Sequence, residues 1–297
     1  MSILIKEYPE LDWDWLWISR NPNITLNDIL ASPNLPWDWR DVSTNPNITM
    51  SDISAHPELP WNWYWISFNH NITINDILAH PKADWNWNWL SENPNIKIND
   101  ILAHPELPWS WFHVSRNPNI NMKFILENPK KFWDSEYASI NPNITLNDIL
   151  AHPELFWNWF WVSQNPNITI TDILKNLEKP WRWEHISAKA NIKINDILAH
   201  PELPWSWEWV SRNPNLKMSD ILAHPEKYWN LYWIAQNPNI EMSDILALSE
   251  KNWRWDCVSQ NPNITLKDIF SKGFKGNWSS LSKNKFLYDD IVFNREI

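Results

Sequence analysis

The chain has almost no glycine: 2 residues in 297, where ordinary usage of roughly 7% would give about 21. Loops that cradle phosphate, dinucleotide-binding turns and nucleophile elbows all need glycine, for close backbone approach or for positive φ. All three are therefore excluded. Cysteine is nearly absent as well. Cys257 stands alone, so no internal disulfide is available, which fits a reducing compartment. Basic residues are in deficit, 25 Lys and Arg against 35 Asp and Glu, which argues against nucleic acid as a partner. No apolar run approaches the roughly 18 residues of a membrane span. Residues 1–10 show no basic segment followed by an apolar one, so no signal peptide is expected. These features predict a cytoplasmic protein with no membrane partner.

What the chain does have is tryptophan, 27 residues, and proline, 23 residues. Both follow from an internal repeat. Asn recurs at 23, 47, 71, 95, 119, 143, 167, 191, 215, 239 and 263, every step being 24 residues. With Asn21 as position 1, the unit reads N-P-N-I-T-L-N-D-I-L-A-H-P-E-L-P-W-N-W-x-W-V-S-x. Position 17 is Trp in eleven copies, from Trp13 to Trp253, and position 19 is Trp in nine. Position 21 is Trp in six: Trp17, Trp65, Trp89, Trp161, Trp209 and Trp233. Only Trp278 falls outside this frame. Six N-x-[ST] sequons, at Asn23, Asn47, Asn71, Asn143, Asn167 and Asn263, share one repeat position, where a glycan would obstruct packing.

The first half of each unit reads as a short helix. Apolar positions 6, 9 and 10 follow an i, i+3, i+4 pattern. Thr at 5 and Asp at 8 have capping-box spacing, although Asn at 3 is an alternative cap where Thr is lost. Pro at 13 ends the helix. In the second half, W-x-W-x-W alternates like a strand. A helix accommodates it better: positions 15, 19 and 22 fall on one face, and Pro at 16 suits the first turn.

The expectation is an all-α chain, a right-handed type of α-solenoid of 24-residue two-helix repeats, each an α-helix plus a short α- or 3-10 helix. The alternative is an α/β solenoid with W-x-W-x-W strands. Residues 1–297 would form one solenoid domain. Residues 1–20 form an N-terminal half-repeat cap, 21–270 the array and 271–297 a degenerate C-terminal cap containing a worn twelfth copy over 284–292. At a stacking step of ~8–10 Å, the array would extend on the order of 100 Å.

Two resemblances bear on this. The ending Val210-Ser211-Arg212-Asn213-Pro214-Asn215, in a 24-residue unit, resembles the leucine-rich-repeat variant, whose repeats stack an α-helix and a 3-10 helix into a superhelix. The wording N-P-N-I-T…P-W-N-W is similar to the Trp-, Asn- and Pro-rich tandem repeats of giant DNA viruses that infect amoebae. That second resemblance implies a location in host cytoplasm or in the virion, and brings no activity with it.

Three recurrent polar residues invite a chemical reading. Asp at position 8, His at 12 (His56, His80, His104, His152, His200 and His224) and Ser at 23 would supply the residue types of a catalytic triad. A motif copied along an array gives near-identical surroundings each time, whereas a catalytic pocket is singular. Histidines one repeat apart do not converge on one zinc ion either. No catalytic, cofactor or metal site is therefore assigned, and no cofactor or enzymatic activity is expected. The expected roles are Asp at a helix start, His at a helix end and Ser at a close contact. The Trp stripe is expected to form a continuous core, with position 21 partly exposed.

Position 20 alternates between apolar and polar residues: Leu16, Arg40, Tyr64, Asn88, Phe112, Glu136, Phe160, Glu184. The expected function is a non-enzymatic scaffold for protein–protein interaction. Its partner-binding face would consist of Leu16, Tyr64, Phe112, Phe160, Trp65, Trp89 and Trp161, with a protein partner. The alternative is a carbohydrate-binding surface built on exposed Trp residues, with a glycan partner. Consensus breaks at 121–140, 175–190 and 247–252 mark places for a kink or a specific contact.

Overall fold

The computed structural model describes residues 5, 6, 8, 10–248, 251–271 and 273–284. The chain is an all-α repeat solenoid: 23 short α-helices and one 3-10 turn, with no strand among the described residues. Each repeat contributes a helix over positions 6–11, such as Leu26–Ala31, and a second beginning at position 19, such as Trp63–Ile66. Helices of four to six residues are far below the length that is stable alone, so packing and capping must hold them.

The first helix starts where the Thr and Asp spacing predicts. Thr25 Oγ1 accepts the Asp28 N–H at 3.3 Å, and Asp28 Oδ2 accepts the Thr25 N–H at 3.1 Å. Where position 5 is not Thr, the carboxylate half of the box persists: Asp100 Oδ2 accepts the Lys97 N–H at 2.7 Å. Where Asp gives way to Phe124, Asn121 Oδ1 caps the Phe124 N–H at 3.0 Å. The alternative cap, Asn at position 3, is not used. The helix closes on position 12, where His56 and its equivalents are C-cap residues.

The second helix is shorter than expected. Residues 13–16 of the unit form a turn, in which the Leu59 N–H reaches the His56 carbonyl at 3.2 Å and the Trp61 N–H reaches Leu59 at 2.8 Å. The polar residue at position 18 is the N-cap: Asn62 Oδ1 accepts the Trp65 N–H, and Asp134 Oδ1 the Tyr137 N–H. Pro at 16 thus precedes the helix and is not part of its first turn.

The fully buried core is aliphatic, not indole. Position 4 (Ile24, Ile48, Ile72, Ile96), position 9 (Ile29, Ile77, Ile101) and position 22 (Ile18, Val42, Ile66, Leu90) are almost entirely inaccessible. Each such side chain contributes roughly 1.5–3 kcal/mol by leaving water. Among the position-17 indoles, Trp13, Trp85, Trp109, Trp181 and Trp253 are buried and the other six half-buried. The indole N–H needs an acceptor. It takes the position-12 carbonyl of its own repeat, as in Trp61 to His56 at 2.8 Å and Trp253 to Leu248 at 2.9 Å. Buried and half-buried rings alike make this bond, as Trp85 and Trp109 show. Position-19 rings meet the next repeat's position-17 ring edge-on at 5.0–5.3 Å, from Trp15–Trp37 to Trp207–Trp229.

Two polar ladders fasten one repeat to the next. Asn at position 1 is buried. Asn117 Nδ2 donates to the carbonyls of Asn93 and Ile96 in the preceding repeat and of Ser91 just before it at 3.0–3.1 Å, while its Oδ1 accepts the Asn119 N–H at 2.9 Å. Asn at position 3 adds a parallel rung: Asn119 Nδ2 reaches Pro94 and Ile96 carbonyls at 2.8 and 3.0 Å. Ser at position 23 is fully buried. Ser163 Oγ donates to the Trp159 carbonyl at 2.8 Å and accepts the Arg182 N–H of the next repeat at 2.9 Å.

The chain divides into two compact units, Trp39–Ile192 and a unit made of Met1–Asp38 with Lys193–Ile297. Within the latter, the two chain ends meet. The Asp14 N–H donates to Ser282 Oγ at 2.9 Å, and Asn21 Nδ2 donates to Ser282 and Asn284 carbonyls at 3.2 and 2.9 Å. These are the rungs that join consecutive repeats elsewhere. Trp278 also returns to the repeat frame one residue early: its helix spans Trp278–Leu281, and its ring meets Trp13 at 5.3 Å in the position-19 manner. Gly276 then stands at position 17, where a Cβ would lie 2.0 Å from Ser259 Oγ. The Phe274 ring supplies the missing aromatic, edge-on to Trp255 at 5.9 Å. Residues 285–292 of the twelfth copy lie outside the described residues, as do 249 and 250 in the break at 247–252.

Candidate functional site

The triad residue types are committed elsewhere. Asp caps its helix, as above. His Nδ1 faces the Glu two residues on, as in His104–Glu106 and His152–Glu154 at 3.0 Å, or the Asp76 carbonyl in the case of His80 at 2.9 Å. Backbone N–H groups and the His partner hold the Glu58, Glu106 and Glu154 carboxyls below the usual range. Ser is occupied by the inter-repeat ladder. A different Ser–His pair, Ser110 Oγ and His113 Nδ1 at 2.8 Å, sits at the start of one second helix. Burial, followed by the Arg116 charge, pushes the His113 imidazole down. The nearby Asp134 carboxylate is turned to the Tyr137 N–H instead. No group of three or more metal-ligating side chains occurs among the described residues. Cys257 is 1% exposed, and burial raises its thiol pKa, which suppresses the reactive thiolate.

The residues of the expected partner face all lie on second helices. Leu16, in the two-segment unit, is exposed. In the other unit Tyr64, Phe112 and Phe160 are exposed at position 20 of alternate repeats, while Trp65, Trp89 and Trp161 are half-buried beside them at position 21. The two positions pack edge-on: Tyr64–Trp65 at 5.5 Å, Phe160–Trp161 at 5.0 Å, and across repeats Phe112–Tyr137 at 4.8 Å and Phe160–His185 at 4.6 Å. Position 24 covers the position-21 ring with a cation in several repeats: Arg20 lies 3.8 Å over Trp17 and Arg212 4.7 Å over Trp233.

Sequence reasoning missed a second set of outward aromatics. Phe132, Phe156 and Tyr228 replace Pro at position 16 and are 75%, 84% and 77% exposed. Phe156 also holds a left-handed backbone, φ 53°, which is unfavourable for a side chain of its size. The available signal was the loss of Pro at a turn position.

It also missed a cleft of about 250 Å³ in the single-segment unit, lined by Phe68, His70, Trp89, Glu92, Asn93 and Arg116. Three departures from consensus converge there. Phe68 and Glu92 are unusual residues at position 24, and His70 stands where nine other copies have Pro. Glu92 pairs with Arg116 at 3.4 Å. Burial raises the Glu92 carboxyl above its ordinary range, and the Arg116 charge only partly offsets this. Phe68 packs edge-on to Trp89 at 5.0 Å. The Trp89 indole N–H is buried with no hydrogen-bond partner.

No family model, curated protein or solved structure matches the chain.

Proposed function

We propose that the protein is a non-enzymatic scaffold that binds another protein through its second helices. One observation carries this reading: aromatic side chains recur, outward and exposed, at one position of alternate repeats, Tyr64, Phe112 and Phe160. Regularly placed exposed apolar groups are a feature of interaction surfaces, and repeat arrays present extended ones. The similarity in wording to repeats of giant DNA viruses supports host cytoplasm or the virion as the place of action. A photo-crosslinking residue in place of Asn88, which is exposed on the repeat between Tyr64 and Phe112, tests the reading. A specific crosslinked protein, lost when Tyr64, Phe112 and Phe160 all become Ser but retained with Glu136→Gln, is the expected result. Crosslinking unaffected by the triple substitution, in a chain with unchanged circular dichroism, contradicts it.

A further inference from the structure

In a repeat array most surroundings are copies, so a singular site is to be sought where consensus departures meet. The cleft between Phe68 and Arg116 is such a place. Its chemistry narrows the occupant by charge. A cation entering toward Glu92 meets the Arg116 guanidinium, and an anion entering toward Arg116 meets the Glu92 carboxyl, since the two are 3.4 Å apart. The pair is neutral overall. It offers a hydrogen-bond acceptor and several donors side by side, the arrangement that suits adjacent hydroxyl groups, each of which both donates and accepts.

The walls fit the same class. Phe68 and Trp89 pack edge-on at 5.0 Å, and Phe68 and His70 lie 5.9 Å apart at 40°, giving an apolar side against which ring C–H groups can rest. Trp89 lines the cleft, and its indole N–H is buried without an acceptor. At about 250 Å³, the space is smaller than the roughly 300–1,000 Å³ of sites that engulf drug-sized ligands. It is on the scale of a single small ring.

We propose that this cleft binds one neutral pyranose residue, with adjacent hydroxyls on Glu92 and Arg116 and a carbohydrate face against Phe68. The site shares Trp89 and a second helix with the expected partner face but contains none of Tyr64, Phe112 and Phe160, so its test does not depend on the protein-binding role proposed above.

The test is a titration of the full chain with a panel of neutral methyl pyranosides, followed by the Trp89 indole N–H resonance. That resonance is assigned by its loss in Trp89→Phe. N-acetyl-lysine amide, acetate and glycerol are the controls. The expected result is saturable binding of at least one pyranoside and none of the controls. Glu92→Gln and Arg116→Met should each weaken it at least about tenfold, the equivalent of roughly 1.4 kcal/mol or one charged hydrogen bond. Phe68→Leu, at an exposed position that does not threaten folding, should weaken it several-fold. Saturation by a charged control instead, no saturation by any pyranoside in a chain of native circular dichroism, or pyranoside binding indifferent to all three substitutions overturns the proposal.

Discussion

The same rung of the ladder is filled by Asn117 in one repeat and by Lys189 in another, within one compact unit. Asn117 is uncharged and fully buried, and it donates to three carbonyls while accepting one N–H in its own repeat. Lys189, 8% exposed as a residue, occupies the place with an ammonium group that donates to the Asn165 carbonyl. It has no acceptor for the backbone two residues on, and burial lowers its pKa to about 7, partly opposed by Asp172. The Asn191 rung beside it is intact, reaching Pro166 and Ile168 carbonyls at 2.9 and 2.8 Å. The comparison teaches that the position needs a buried donor to carbonyls. A neutral amide meets that need without desolvating a charge.

The largest effect should come from removing a normal rung. Asn117→Ala leaves the Ser91 carbonyl and the Asn119 N–H without their partner, while the Asn93 and Ile96 carbonyls keep the Ile96 N–H and Asn119 Nδ2. At about 2 kcal/mol for each buried group left unmade, it should cost roughly 4 kcal/mol in urea denaturation. A loss no greater than that of a surface substitution would break the comparison. Lys189→Asn should act in the opposite direction, stabilising by about 3 kcal/mol at pH 6. The sign follows from proton linkage. Between pH 7 and 10.5 the unfolded chain holds a proton on Lys189 that the folded chain has released, so wild-type stability rises with pH over that window and the full penalty applies below it. The gain from Lys189→Asn should therefore shrink as pH rises from 7 to 10, and a pH-independent gain would refute the linkage.

The Ser ladder should give a smaller effect. Ser163→Ala removes the acceptor of the Arg182 N–H and should cost about 1–2 kcal/mol. The natural exception, Ala235, allows the converse: Ala235→Ser should gain up to about 1 kcal/mol, and a loss there would mean the rung does not suit that repeat. Smallest of these, Thr145→Ala removes the hydroxyl that accepts the Asp148 N–H and should cost about 1 kcal/mol in thermal unfolding.

These ladders also mark the limit of what the sequence disclosed. The 24-residue period, the Thr–Asp cap, the His at the helix end and the helical second half were legible because each is a local rule about neighbours in sequence. The roles of Asn117 and Ser163 were not. An Asn or Ser at a turn satisfies its own backbone and its neighbour's equally well on paper, and only stacking chooses between them. The Trp stripe was legible in part: the rings pack from repeat to repeat and Trp13, Trp85, Trp109, Trp181 and Trp253 are buried, but the most inaccessible side chains are Ile24, Ile29 and Ile18. The contact between Asn21 and Ser282 was hidden by the one-residue slip that displaces Trp278 from the frame. Of the site residues, position 20 was legible from its alternation. The Phe68–Arg116 cleft required knowing that position 24 of one repeat touches positions 21 and 24 of the next.

The account rests on buried amide side chains joining repeat to repeat. Hydrogen exchange of the Asn side-chain amides, resolved by NMR, reads this directly. The Nδ2 protons of Asn69, Asn93, Asn117, Asn141 and Asn165 should be strongly protected, while those of the exposed Asn88 exchange at the rate of a free amide. Exchange of the position-1 amides as fast as that of Asn88, in a folded chain, would contradict it.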